Sequence, residues 1–91
     1  KMRVSNMQST NGNKIANQFI INDNGKMFFQ SYNSIIAMID NDGKIYLDDY
    51  YWDYSVTTSK YRNIFLNEKK PVTERKIKDG LYTLTNLNED K

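Results

Sequence analysis

Three dipeptides, Asn11-Gly12, Asn24-Gly25 and Asp42-Gly43, divide the first half of the chain into short segments. Asn-Gly and Asp-Gly suit type I′ hairpins, because both central residues need positive φ, which Gly adopts freely and Asn or Asp tolerates. Such turns between alternating segments predict an antiparallel meander, and the flanks agree. Val4 opens a short first strand. Ile15, Phe19 and Ile21 fall on one face of a second, with Asn17 as its polar exception. Phe28, Gln30 and Tyr32 then alternate with Met27, Phe29 and Ser31. Ile35-Ile36-Ala37-Met38-Ile39 is apolar at every position, which predicts a central, covered strand. Asn33-Ser34 interrupts what would be an overlong strand and predicts a bulge or bend. Ile45-Tyr46-Leu47 is the return strand after Asp42-Gly43.

Beyond Ser55 the period changes. Tyr61, Ile64 and Phe65 stand at i, i+3 and i+4, an apolar stripe that a helix can bury. Thr57 or Thr58 is the expected N-cap, its hydroxyl accepting an otherwise orphan N–H. Pro71 blocks continuation. A second, shorter helix is expected from Thr73, where Val72 and Ile77 have the spacing of a hydrophobic staple, and Gly80 suits its left-handed end. Leu81 to Leu87 alternates as a last strand. The expected class is α+β: one domain over residues 1–91, an antiparallel meander of about four to five strands, with one or two short helices packed on one face. The first and last strands are the candidate edges, and pairing across an edge would give a symmetric homodimer.

The residue inventory excludes much chemistry. With 91 residues the chain has room for one core. It has no histidine and no cysteine, so the commonest general base, the commonest metal ligand and all thiolate sites are missing. Ser31, Ser34, Ser55 and Ser59 have no imidazole to activate them, and no Ser-x-x-Lys frame or Gly-rich phosphate loop occurs. Asp40-Asn41-Asp42-Gly43 starts like a calcium loop, but Lys44, Ile45 and Tyr51 occupy the places where a ligand, Gly and Glu are needed. These features predict a protein that is not an enzyme and uses no cofactor or metal. No apolar run approaches the roughly 18 residues of a membrane span, so no membrane association and a cytoplasmic location are expected.

Two features remain for binding. Tyr50, Tyr51, Trp52 and Tyr54 put four aromatics into residues 50–54, enough for a protein-docking anchor or a base-stacking platform. Core closure competes for the same rings, because each buries a large area. The second feature is the basic stretch Lys60, Arg62, Lys69, Lys70, Arg75, Lys76 and Lys78, opposed by Glu68 and Glu74. It reads as a phosphate track, as an electrostatic rim for a protein partner, or as a solvated helix face; a net charge of +2 is weak for nucleic-acid binding.

The series Asn17-Gln18-Phe19, Phe29-Gln30-Ser31-Tyr32, Ile36-Ala37, Leu47-Asp48, Tyr51-Trp52-Asp53-Tyr54-Ser55, Thr57-Thr58-Ser59-Lys60-Tyr61-Arg62 and Phe65-Leu66 resembles a group of small uncharacterised proteins of bacteriophages and related mobile elements. Residues Thr73 to Asn88 resemble it too, and relatives often carry Gly where this chain has Asn67. The resemblance implies a phage accessory protein in the host cytoplasm. Its expected action is stoichiometric inhibition of a host defence nuclease, in the manner of anti-CRISPR proteins. Exposed members of Tyr50, Tyr51, Trp52 and Tyr54 would anchor it, with Lys60, Arg62, Lys69 and Lys70 as rim. Two alternatives stay open. One is a nucleic-acid accessory module using Lys69, Lys70, Arg75 and Lys76 on phosphate; the other is a sponge for a nucleotide second messenger.

Overall fold

The structure, a computed structural model, describes residues 2–89. They form strands β1 (Met2–Gln8), β2 (Lys14–Asp23), β3 (Lys26–Ser31), β4 (Ser34–Ile39), β5 (Ile45–Asp48) and β6 (Tyr82–Thr85), and helices α1 (Val56–Leu66) and α2 (Lys70–Lys78). All six strands make one sheet in the order β1-β2-β3-β4-β5-β6, so the first and last strands are its edges. The fold class is the expected α+β. β1 to β5 are the antiparallel meander, whereas β6 lies parallel to β5. The helices supply the crossover that a parallel pair requires.

The turns are more varied than their dipeptides. Asn24 and Gly25, with φ of 52° and 85°, make the one two-residue turn of the expected kind among the three. At Asn11-Gly12 and Asp42-Gly43 only the glycine is left-handed, and the loops close one residue wider, through Ser9 N to Asn13 O and Asp40 N to Lys44 O. The Asp40 carboxylate accepts from the N–H groups of Asp42 and Lys44 and so holds its loop. Asn33-Ser34 is neither a bulge nor a bend within one strand: Tyr32 and Asn33 form a full reversal between β3 and β4. The bulge lies at Ile36, the unpaired residue between the pairs Gln30–Ile35 and Phe29–Ala37.

A second irregularity resets β2. Asn17 has φ 65°, and the alternation slips there. Ile15 and Ile20 therefore pack on the core and Gln18 is buried, while Phe19 and Ile21 point to the other face. The expected single face of Ile15, Phe19 and Ile21 is thus broken, because a left-handed residue rotates every side chain after it.

Both helices cover the same face. The core joins Met7, Phe29, Ile36, Ala37, Leu47 and Tyr82 to half-buried Trp52, Tyr61, Phe65, Leu66 and Ile77. Phe29 and Phe65 stack with centroids 5.8 Å apart. Ser55, not Thr57 or Thr58, caps α1, its hydroxyl accepting from Thr58 N at 3.1 Å. The inward stripe of α1 is Thr58, Tyr61, Arg62, Phe65 and Leu66; Ile64 faces out, 55% exposed. α2 starts at Lys70 and holds Pro71 in its first turn, where the missing N–H costs no helical bond. Val72 is therefore inside the helix and does not precede it. Asn67 and Gly80 are left-handed at the ends of α1 and α2. Among the described residues no helix is long and apolar enough to cross a membrane.

Residues 86–88 close the molecule. The Asp48 carboxylate accepts from Leu87 N at 2.8 Å. The Asn88 amide accepts from Ile35 N at 2.7 Å and donates to Ile35 O at 2.8 Å, copying a backbone ladder pair with a side chain.

Candidate functional site

The aromatic segment takes its shape from Asp48. This residue ends β5 fully buried, and its Oδ2 accepts from Tyr50 N at 3.1 Å and Tyr51 N at 2.8 Å. The chain folds tightly around that carboxylate, with Trp52 N donating to Asp48 O and Tyr54 N to Tyr51 O. The four rings consequently separate. Tyr51 and Trp52 turn inward onto the core, while Tyr50 and Tyr54 are each 61% exposed. Tyr51 meets Tyr50 and Tyr54 edge-on, at centroid distances of 4.7 and 5.2 Å, so the two outer rings rest on a fixed inner one.

Beside them is a cleft of about 160 Å³ between the β3–β4 turn and the start of α1. Tyr32, Tyr51 and Tyr54 are its walls and Ile36 its apolar floor, and the hydroxyls of Ser31, Ser34, Ser55 and Thr58 line it as well. Ser55 donates to Thr58 Oγ1 at 3.1 Å, and Ser31 Oγ lies 3.4 Å from the same atom. Tyr32 has φ 55°, an uncommon and costly conformation for a bulky residue. It is held there by Tyr32 N donating to Asn17 O at 2.7 Å and Gln30 Nε2 donating to Tyr32 O at 2.7 Å. The two left-handed residues Asn17 and Tyr32 are therefore joined directly, and a strained turn presents an aromatic ring at the mouth of the cleft. On the other flank of Ser55 lies a shallow groove of about 620 Å³ along Asp53, Val56, Lys60, Asn63 and Lys70. Val56, 89% exposed, stands with Tyr54 on the ridge between the two depressions.

The basic residues divide differently from the expectation. Arg62 is completely buried and so contributes nothing to a surface rim. Its guanidinium donates to Trp52 O, to Ser59 Oγ at 3.3 Å and to Asn63 Oδ1 at 3.0 Å, pairs with Asp53 at 3.4 Å, and lies 5.2 Å from the Trp52 ring centroid. Lys70 meets the same aspartate at 2.6 Å. Burial raises the Asp53 pKa, but hydrogen bonds from Lys70, Ser59 and Arg62 outweigh it and hold the carboxyl below its ordinary value. Lys76 is bound to Glu68 at 2.8 Å, and Glu68 also accepts from Thr73 Oγ1 at 2.6 Å and Tyr82 OH at 2.9 Å. Lys60, Lys69 and Arg75 are exposed. Sequence reasoning found Tyr50 and Tyr54 but missed Tyr32, Val56 and the hydroxyl lining. An aromatic in a two-residue turn beside Asn33 was the available signal for Tyr32.

The family of unknown function DUF8033 matches residues 2–80, a span that includes the whole cleft and the Arg62 cluster. No curated protein and no solved structure matches the chain.

Proposed function

From the premise that this chain belongs to the family of unknown function DUF8033, we propose that it is a non-enzymatic accessory protein that docks stoichiometrically on another protein. One observation carries the reading: Tyr32, Tyr50 and Tyr54, each more than half exposed, sit on a rigid base beside a cleft the size of one side chain. Exposed aromatics on a preorganised support are the usual anchors of protein interfaces, since little entropy is lost on binding. The sequence resemblance supports a phage origin and a host defence nuclease as the partner. In that reading the Tyr54–Val56 ridge enters the partner's surface, and Lys60 and Lys69 form the outer rim.

The alternatives draw less support. A phosphate track through Lys69, Lys70, Arg75 and Lys76 has two of its four cations engaged by Asp53 and Glu68. A sponge for a nucleotide needs an enclosing pocket of roughly 300 Å³ or more. The tyrosine cleft, about 160 Å³, is too small and the 620 Å³ groove beside it is shallow. A 400 Å³ hollow between Thr10 and Tyr61 has, among the described residues, Lys60 as the one cation in its lining.

The test is inhibition of a panel of RNA-guided and restriction nucleases, titrated with this protein. The expected result is loss of cleavage that saturates at one chain per nuclease. Tyr54→Ala should weaken the complex by about 2 kcal/mol, or roughly 30-fold. Inhibition at far below equimolar protein, or a Tyr32→Ala/Tyr54→Ala double variant as potent as the parent, would defeat the proposal.

A further inference from the structure

Among the described residues, both helices pack on one face of the sheet, and the opposite face is largely apolar. Register places Val4, Ile21, Phe28, Met38 and Tyr46 side by side in one row across five strands. Phe19 and Ile35 flank that row, on either side of Gln30 in the next one. None of these seven residues belongs to the core cluster, and Val4 is 56% exposed. β4 was expected to be covered because it is apolar throughout; its Ile36 and Ala37 are buried under the helices, but Ile35 and Met38 lie outside the core cluster and are only partly buried. At one end of this face Asp23 lies opposite Lys26, and the Asp40 carboxylate accepts from the Tyr46 hydroxyl at 3.2 Å.

We propose that two copies of this chain stack through this face, sheet on sheet, to form a homodimer distinct from any pairing across an edge. The area argues for it. Five strands about 4.8 Å apart and three same-face rows about 7 Å apart cover roughly 500 Å² per copy, hence about 1,000 Å² for the pair. The patch is as large as the largest apolar patches on monomers, which are often functional, and the pair is at the threshold of a specific interface, so the dimer is concentration-dependent and not permanent. The shape argues for a second sheet. A pleated surface whose few charges, Asp23, Lys26 and Asp40, gather beyond the end of the apolar row fits an aligned sheet about 10 Å away better than it fits a charged ligand. A two-fold axis between the sheets, running along the apolar row, sets each row over its own copy. Lys26 then faces Gln30 of the second copy, and like charges are kept apart. The tyrosine cleft is on the helix side, so each dimer displays two of them.

Sedimentation velocity from about 1 to 500 μM tests this, with a mass moving from one chain to two as the supporting result. Val4→Glu alters a residue already exposed, so folding is preserved, and it should weaken the dimer at least tenfold. Phe28→Glu should abolish the dimer while circular dichroism retains the native spectrum. Should Phe28→Glu unfold, Phe28→Cys in this cysteine-free chain gives an independent readout: a short bismaleimide, which spans the roughly 10 Å between stacked sheets that a disulfide cannot, should join the two copies. A monomer at every concentration, a dimer unaffected by Val4→Glu, or a Phe28→Cys chain that stays uncrosslinked while an edge cysteine at Ser5 crosslinks would each overturn the proposal.

Discussion

The two faces of the sheet solve opposite problems. The covered face is closed with polar as well as apolar side chains: Phe29, Ile36 and Leu47 share it with buried Arg62, Thr73 and Gln18. The opposite face is largely apolar, yet none of Phe19, Ile21, Phe28, Ile35, Met38 and Tyr46 is fully buried. Hydrophobicity alone therefore does not decide which side of a small sheet becomes the interior. Hydrogen-bonding capacity does, because the helices bring the acceptors and donors that let a guanidinium sit on an apolar ring.

Phe28 and Phe29, neighbours in sequence on opposite faces, are the sharpest comparison. Phe29→Ala empties a fully buried site and should cost about 4 kcal/mol, most of the stability of a domain this size. Phe28→Ala should cost only about 1 kcal/mol at low protein concentration, where the opposite face is in water. Urea denaturation measures both, and equal losses would break the distinction. Next in size is Arg62→Ala, at about 3 kcal/mol, since it strips Trp52 O and Asn63 of a buried donor. Arg62→Lys should recover only part, having no planar fork with which to reach the same partners.

A smaller effect is set by pH. Burial raises the Glu68 pKa, but hydrogen bonds from Lys76, Thr73 and Tyr82 outweigh it and leave it below its ordinary value of 4.5. A carboxyl depressed on folding adds stability above its unfolded value, and that share is lost as pH falls through the folded one. The denaturation midpoint should thus fall from pH 6 to pH 3, and Glu68→Gln should flatten the fall. The smallest change is Asn67→Gly at the left-handed end of α1, a gain of about 0.5 kcal/mol by relief of positive φ, touching neither face.

The meander was legible because turn dipeptides and alternation are local signals. Its exact phase was not. Asn17 looks like a polar exception in a strand, and only pairing to Tyr32 N reveals that it is left-handed and flips Phe19 and Ile21 outward. The start of α2 was misplaced because Pro71 reads as a stop, although a proline in the first turn is also a start. Of the candidate site, Tyr50 and Tyr54 were visible as an aromatic cluster. Arg62 was misjudged because charge predicts exposure, and its burial depends on acceptors from two places: Trp52 O and Asp53 in the loop before α1, and Ser59 and Asn63 on α1 itself.

The Asn88 clasp carries a consequence for how the molecule comes into being. A side chain 53 residues downstream fastens the central hairpin at Ile35. During synthesis the meander is therefore complete long before its latch exists, and the central hairpin stays unfastened at Ile35 until Asn88 has left the ribosome.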